Sequence, residues 1–297
     1  MGNGIAAAVR RLNYLGGKCF TLGYRYSGAQ IAQRTRGTNM QNAFGDTLKE
    51  WRGRRRMSQL DLGLAANVSA RHISFLETGR SRPSRSMVRL LSESLELPHG
   101  ARNAFLGAAG FAPAYRKRDL DDADMVHVRA AVDWTLERHD PFPAMALDRH
   151  WTVVKANRSG GLLLAGAGVA QGDSLLEALT DAERMQAVLE NWREVAEHMI
   201  VRLRTESAHL GGDDVLDATV EKLETALGPR TGGDDGPLPA IIPARYRAGD
   251  RVLSFFSTIA QFGSAEDIAL SELRIELLFP SDDETRDVLF TMVGQNT

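Results

Sequence analysis

Two short amphipathic segments separated by a three-residue turn constrain this chain more than any other feature. In the run from Met57 to Arg80, Ser58 stands where a helix N-cap belongs, and Leu60, Leu62, Leu64 and Ala65 follow it. Asn67, Val68 and Ser69 make a tight turn. Ser69 is placed to cap a second helix from Ala70 to Thr78, with Ile73 and Leu76 on one side and Gly79 just past its end. Gly63 falls where two such helices would cross, a position that suits a residue without a side chain. The flanks continue the pattern. Phe44, Leu48 and Trp51 recur at helical spacing upstream. Pro83-Ser84 opens a helix carrying Met87, Val88, Leu91 and Leu95, and Pro98 opens another carrying Ala101, Phe105, Leu106 and Ala109. The spacing predicts a compact domain of five helices over residues 43–111.

Charge divides the chain. The formal net charge is -2. Residues 1–40 hold six basic and no acidic residues, residues 41–118 hold fourteen basic and six acidic, and residues 119–297 hold sixteen basic and thirty-two acidic. A chain polarised in this way attracts a polyanion with one part and repels it with the other. Arg52, Arg54, Arg55 and Arg56 follow the first amphipathic helix; on their own they read equally as a solvated face, and beside a helix pair of this geometry at least two of them read as phosphate contacts. Residues 1–42 read as a basic, disordered arm. Gly16, Gly17, Gly23 and Gly28 interrupt it, Arg10, Arg11 and Asn13 break any signal-peptide core, and Ala6 stands where myristoylation needs Ser or Thr. Met40, just before the first orderly helix, reads as an alternative start.

Residues 112–124 combine proline with a switch from basic to acidic charge and read as a linker. Beyond it, residues 125–297 read as α+β. A helix runs through Val126, Val132 and Leu136, and strands are expected over Ala144–Leu147 and Thr152–Lys155. One long helix capped by Asp181 is expected from Met185 through Leu203, then another over Asp214–Leu227. A glycine-rich loop covers 228–238. Strands follow at Ile241–Arg247, Val252–Ile259 and Leu273–Phe279, and a closing helix comes after Ser281-Asp282-Asp283-Glu284.

The helix pair resembles the XRE family of helix-turn-helix regulators, with the lambda-repressor-like five-helix fold. The matching residues are Ser58-Gln59, Val68-Ser69, Ile73, Leu76-Glu77, Gly79-Arg80 and Pro83-Ser84. Further segments are similar to XRE regulators that carry an MmyB-like ligand-binding domain: Arg102-Asn103-Ala104-Phe105-Leu106, Asp148-Arg149-His150-Trp151, Ala156-Asn157-Arg158 and Leu253-Ser254-Phe255-Phe256-Ser257-Thr258. The resemblance implies a mainly α DNA-binding domain followed by an α+β, PAS-like domain that takes a fatty-acid-like or other small-molecule ligand. It implies that Gln59 touches phosphate and braces the recognition helix, and that Ala70, Arg71 and Ser74 read base edges. Ser69 and His72 belong to the same DNA-facing set, and Arg80 and Arg82 fit backbone positioning. Arg71 suits a bidentate pair with guanine, whereas Ala70 offers only an apolar contact. Glu77 is expected to satisfy a local basic or backbone group. Trp151, Asn157, Tyr246, Arg247 and Phe256 are the candidate ligand residues, although Asn157 equally suits a helix cap.

Other chemistry finds little support. Cys19 is the one cysteine, which excludes a disulfide framework and suits a reducing cytoplasm. Seven histidines show no metal-ligand spacing, and the glycine-rich run Gly160–Gly168 lacks the Lys-Ser/Thr of a phosphate loop. No nucleophile elbow occurs. Apolar runs are only a few residues long, so no membrane span is expected. The expectation is a non-enzymatic, cofactor-free and metal-free regulator that binds a double-stranded operator as a homodimer. Two other readings stay open at this level. In one, the second half only dimerises, as in a phage-type repressor or antitoxin. In the other, a metabolite or lipid carrier holds a non-specific DNA-binding module.

Overall fold

The computed structural model describes residues 42–229, 241–263 and 266–294. The basic arm up to residue 41 and residues 230–240 of the glycine-rich connection lie outside them. From Phe44 onward the described chain packs as one unit.

Five helices come first: α1 (Ala43–Arg54), α2 (Gln59–Ala65), α3 (Ala70–Glu77), α4 (Arg85–Ser94) and α5 (His99–Ala108). Their starts are written in the caps. Ser58 accepts from the Asp61 amide while Asp61 bonds back to the Ser58 amide, a complete capping box. Ser69 accepts from His72 and Ser84 from Met87. Leu48, Leu62, Ile73, Leu76, Leu91 and Phe105 are fully buried and close one core. Gly63 is required at the α2–α3 crossing, because a β-carbon there would stand 2.6 Å from the Val68 carbonyl oxygen. Leu60 and Leu64 point outward from α2 and are exposed.

A short 3₁₀ turn (Ala123–Met125) leads into α6 (Val126–His139). Strands β1 (Ala144–Leu147) and β2 (Val153–Ala156) follow, then α7 (Arg158–Gly166), α8 (Leu175–Thr180), α9 (Ala182–Val188), α10 (Trp192–Leu210) and α11 (Asp214–Leu227). Strands β3 (Ala244–Ala248) and β4 (Arg251–Gln261), helix α12 (Ile268–Glu272), strand β5 (Arg274–Pro280) and helix α13 (Asp283–Gly294) complete the described chain. The five strands form one antiparallel sheet in the order β2-β1-β5-β4-β3. One face, here called inner, carries Met145, Leu147, Phe255 and Leu278 into a core shared with Leu203 of α10 and with Leu216 and Leu223 of α11. The other face packs Ala144, Ala146 and Ile275 against Val132 and Leu136 of α6.

The domain is α+β as expected, with local differences, among them two short helices, α8 and α12, that carried no helix expectation. The single long helix anticipated from Met185 to Leu203 is two helices. The break at Leu189–Asn191 arises because this segment pairs with β3: Leu189 bridges Tyr246, the Glu190 amide donates to the Arg245 carbonyl, and the Asn191 side chain bonds Pro243 and Arg245. Helix α7 forms in a glycine-rich stretch that carried no helix expectation; Asn157 caps it, and Gly160 lets it approach the Ala144 carbonyl. Trp134 of α6 is 62% exposed, with the Arg138 guanidinium over its ring.

Candidate nucleic-acid interface and ligand-domain interior

The first turn of α3 projects from a rigid mount. Glu77, near the end of α3, is buried at 7% exposure. It accepts from Arg52 Nε of α1 at 2.6 Å and from the Gln59 side-chain amide of α2 at 2.7 Å. One carboxylate thereby ties three helices together, and its hydrogen bond and charge raise the Arg52 pKa further. Glu77 meets the expectation of a local basic partner, and Gln59 braces α3.

Ser69, Ala70, Arg71, His72 and Ser74 lie together on the leading turns of α3. Ser69 and Arg71 are exposed, the others partly so. The Ser69 hydroxyl is engaged as the cap, accepting from the His72 amide at 3.2 Å. The Arg71 guanidinium lies 5.2 Å from the Phe75 ring centre, and Arg80 lies 5.8 Å from the same ring. An exposed cation–π contact holds only about 0.5–1 kcal/mol, so it orients Arg71 without trapping it. Arg80 and Arg82 are exposed past the helix end. The arginines at the end of α1 and just after it are placed differently. Arg52 is engaged with Glu77, Arg54 with Glu50, and Arg55 with the carbonyls of Leu95 and Glu96, while Arg56 is exposed.

In the second domain the five candidate ligand residues do not converge. Trp151, in the left-handed region at φ 62°, lies on the inner side of the sheet. Tyr246 packs there against Phe255 at 5.9 Å between ring centres. Burial, and then the Glu276 charge, push its phenol up to about 12. Phe256 points to the opposite face and stacks on Phe279 at 5.6 Å. Arg247 is exposed. Asn157 uses its side chain within the fold, accepting from Ala144 and Gly160 and donating to Leu136 and Phe142. It also lines a shallow, open hollow of 270 Å³ beside Asp133 and Lys155.

Four polar residues that sequence reasoning missed surround Trp151. Its indole N–H donates to Glu206 at 3.1 Å. Glu206 also accepts from Arg274 at 2.6 Å and from Arg202 at 3.1 Å, and Arg202 reaches Glu276 at 2.6 Å. Both guanidinium groups sit over the Trp151 ring, at 4.2 and 5.2 Å. Burial alone would raise the Glu206 pKa, but the bonds and charges of the two arginines and the Trp151 N–H hold it below the usual carboxylate range. The Nε of Arg274 is buried and makes no hydrogen bond. The signal for this cluster lies in spacing: Arg202 and Glu206 are one turn apart on an amphipathic helix, and Arg274 and Glu276 share one side of an otherwise apolar strand.

Among the described residues no group of histidine, cysteine, aspartate and glutamate is placed to hold a metal ion, and no helix is long and apolar enough to cross a membrane. No curated protein matches the chain. The family model described as a helix-turn-helix domain matches residues 43–105. A second model, the MmyB-like transcription regulator ligand binding domain, matches residues 128–291, more than half of the chain. A DNA-binding helix-turn-helix domain is thus joined to a ligand-binding α+β domain, and the chain belongs to the family of transcription regulators with an MmyB-like ligand binding domain.

Proposed function

We propose that this protein reads a specific operator through the first turns of α3 and changes its hold on that operator when a small ligand enters the second domain. The observation that carries the reading is Arg71: exposed at the leading edge of a braced helix, steadied by Phe75 and with no carboxylate partner among the described residues. An arginine so placed suits the O6/N7 edge of guanine. Ala70 and Ser74 offer contacts to neighbouring bases. Gln59, Ser69, His72, Arg80 and Arg82 serve phosphate and positioning roles, with residues 43–111 as the DNA-binding unit and 112–124 as the linker. A cytoplasmic homodimer on two half-sites about one helical turn apart is the arrangement that suits such a domain.

For the ligand we propose a fatty-acid-like carboxylate at the inner face of the sheet, beside Trp151 and Tyr246. The unbonded Nε of Arg274 supports a group that accepts hydrogen bonds. Of the other candidates, Asn157 has its side chain committed within the fold, Arg247 is on the surface and Phe256 faces the other way.

Selection of bound duplexes from a randomised pool tests the operator reading. Wild type should return a defined site, and Arg71→Ala should blur one position in it. Affinity without any preferred sequence would sink the proposal. Titration with sodium dodecanoate, followed by tryptophan fluorescence in wild type and Trp151→Phe, tests the ligand reading. A saturable change that depends on Trp151 is expected, and its absence contradicts the class of ligand.

A further inference from the structure

The helix-turn-helix domain rests on the ligand domain at two places. At the first, the Trp51 indole of α1 lies against the turn that ends α10, so closely that a methyl group on Gly211 would overlap the ring. Gly211 and Gly212 both hold positive φ, 81° and 96°, and the Arg54 guanidinium lies 3.2 Å from where a Gly212 β-carbon would stand. A backbone that requires glycine twice, under an aromatic ring, is a notch shaped for that ring. At the second place, Glu272 at the end of α12 lies against the first turn of α5, 3.5 Å from where a Gly100 β-carbon would stand.

One side chain joins the two places. Arg149 gives Nη1 to Glu272 at 3.1 Å and Nη2 to Asp213, the residue directly after the Gly211-Gly212 notch. Asp213 in turn caps α11 and accepts from His150 at 3.1 Å. A guanidinium has a fork that serves two carboxylates in fixed directions, which an ammonium does not. Two residues along the same turn, Trp151 reaches into the polar cluster of the inner face.

We propose that Arg149 is the positioning residue that docks the helix-turn-helix domain on the ligand domain. The turn Asp148–Trp151 is then the element through which a change beside Trp151 reaches α1. The regulatory consequence rests on the ligand-responsive reading given above. The docking itself does not, because it is measured without DNA or ligand.

Hydrogen exchange by mass spectrometry on the full chain is the test. In Arg149→Met, amides of residues 48–56 should exchange at least tenfold faster, while those of 86–95 in the helical core stay unchanged. Arg149→Lys, able to serve one carboxylate at a time, should fall between. Trp151→Phe, which removes only the indole N–H bond and part of the ring, should raise exchange at 48–56 at least threefold. Unchanged exchange at 48–56 in Arg149→Met overturns the docking role, and unchanged exchange there in Trp151→Phe overturns the transmitting role of the turn. An equal rise at 86–95 in both Arg149 variants means general loosening and also overturns it. A failed operator selection with these exchange results intact contradicts the operator reading alone.

Discussion

The side-chain amide of Gln59 donates to the Glu77 carboxylate at 2.7 Å, which fixes the start of α2 to the end of α3. Arg52 holds the same carboxylate from α1. Because Glu77 is buried, removing it leaves the Arg52 guanidinium without its charge partner. Glu77→Ala should destabilise the chain by about 3 kcal/mol, whereas Gln59→Ala, which removes one bond from a partly exposed side chain, should cost about 1 kcal/mol. Urea unfolding compares them. Equal losses would show that the three helices are not held through this carboxylate.

Gly63→Ala tests the helix crossing. Its β-carbon would press on the Val68 carbonyl oxygen and the backbone at Ala70, and backbone cannot swing aside as a side chain can. A loss of about 2 kcal/mol is expected, although alanine favours helix over glycine at an exposed site. A gain in thermal midpoint would mean that the crossing has room.

The salt dependence of DNA binding separates the arginines. Arg80→Ala and Arg82→Ala should each lower the slope of log K against log salt by about 1 without altering the selected sequence. Arg54→Ala and Arg55→Ala should leave the slope unchanged, because those side chains are engaged with Glu50 and with the Leu95 and Glu96 carbonyls. The reverse pattern would place phosphate on the end of α1.

Acid should weaken the ligand domain through two carboxylates. At Asp213 burial raises the pKa, but the bonds and charges of His150 and Arg149 outweigh it, and Glu206 is likewise held low by its arginines. A carboxyl with a depressed folded pKa contributes stability that is fully present above its unfolded value, near about 4, and that is lost as pH falls through the folded value. Stability should therefore decline from about pH 5 downward. Glu206→Gln should show a shallower decline, and a slope identical to wild type would remove Glu206 from this role.

The helix-turn-helix half is legible in the sequence because its determinants are local. Ser58, Ser69 and Ser84 each cap within three residues, Gly63 meets the turn that follows it, and Gly79 ends α3 at φ 71°. The destinations of the arginines at and after the end of α1 are not legible, since Arg52 and Arg55 find partners 25 and 40 residues away. The ligand domain loses legibility for the same reason. Glu206 meets Trp151 from 55 residues away and Arg274 from 68, so the partners that gather around it lie beyond any local pattern. The kink before α10 depends on a strand more than fifty residues downstream, which no local pattern announces. The aromatic candidates Phe256 and Tyr246 lie on opposite faces because strand register, not composition, decides direction.

Guanine methylation interference on the selected operator tests base reading by Arg71 most directly, since a bidentate arginine requires an unmodified N7. In wild type, N7 methylation of one guanine in each half-site should abolish binding, and Arg71→Ala should bind the same methylated duplex as well as the unmethylated one. Identical interference patterns in the two proteins would contradict the assignment of Arg71 to a base.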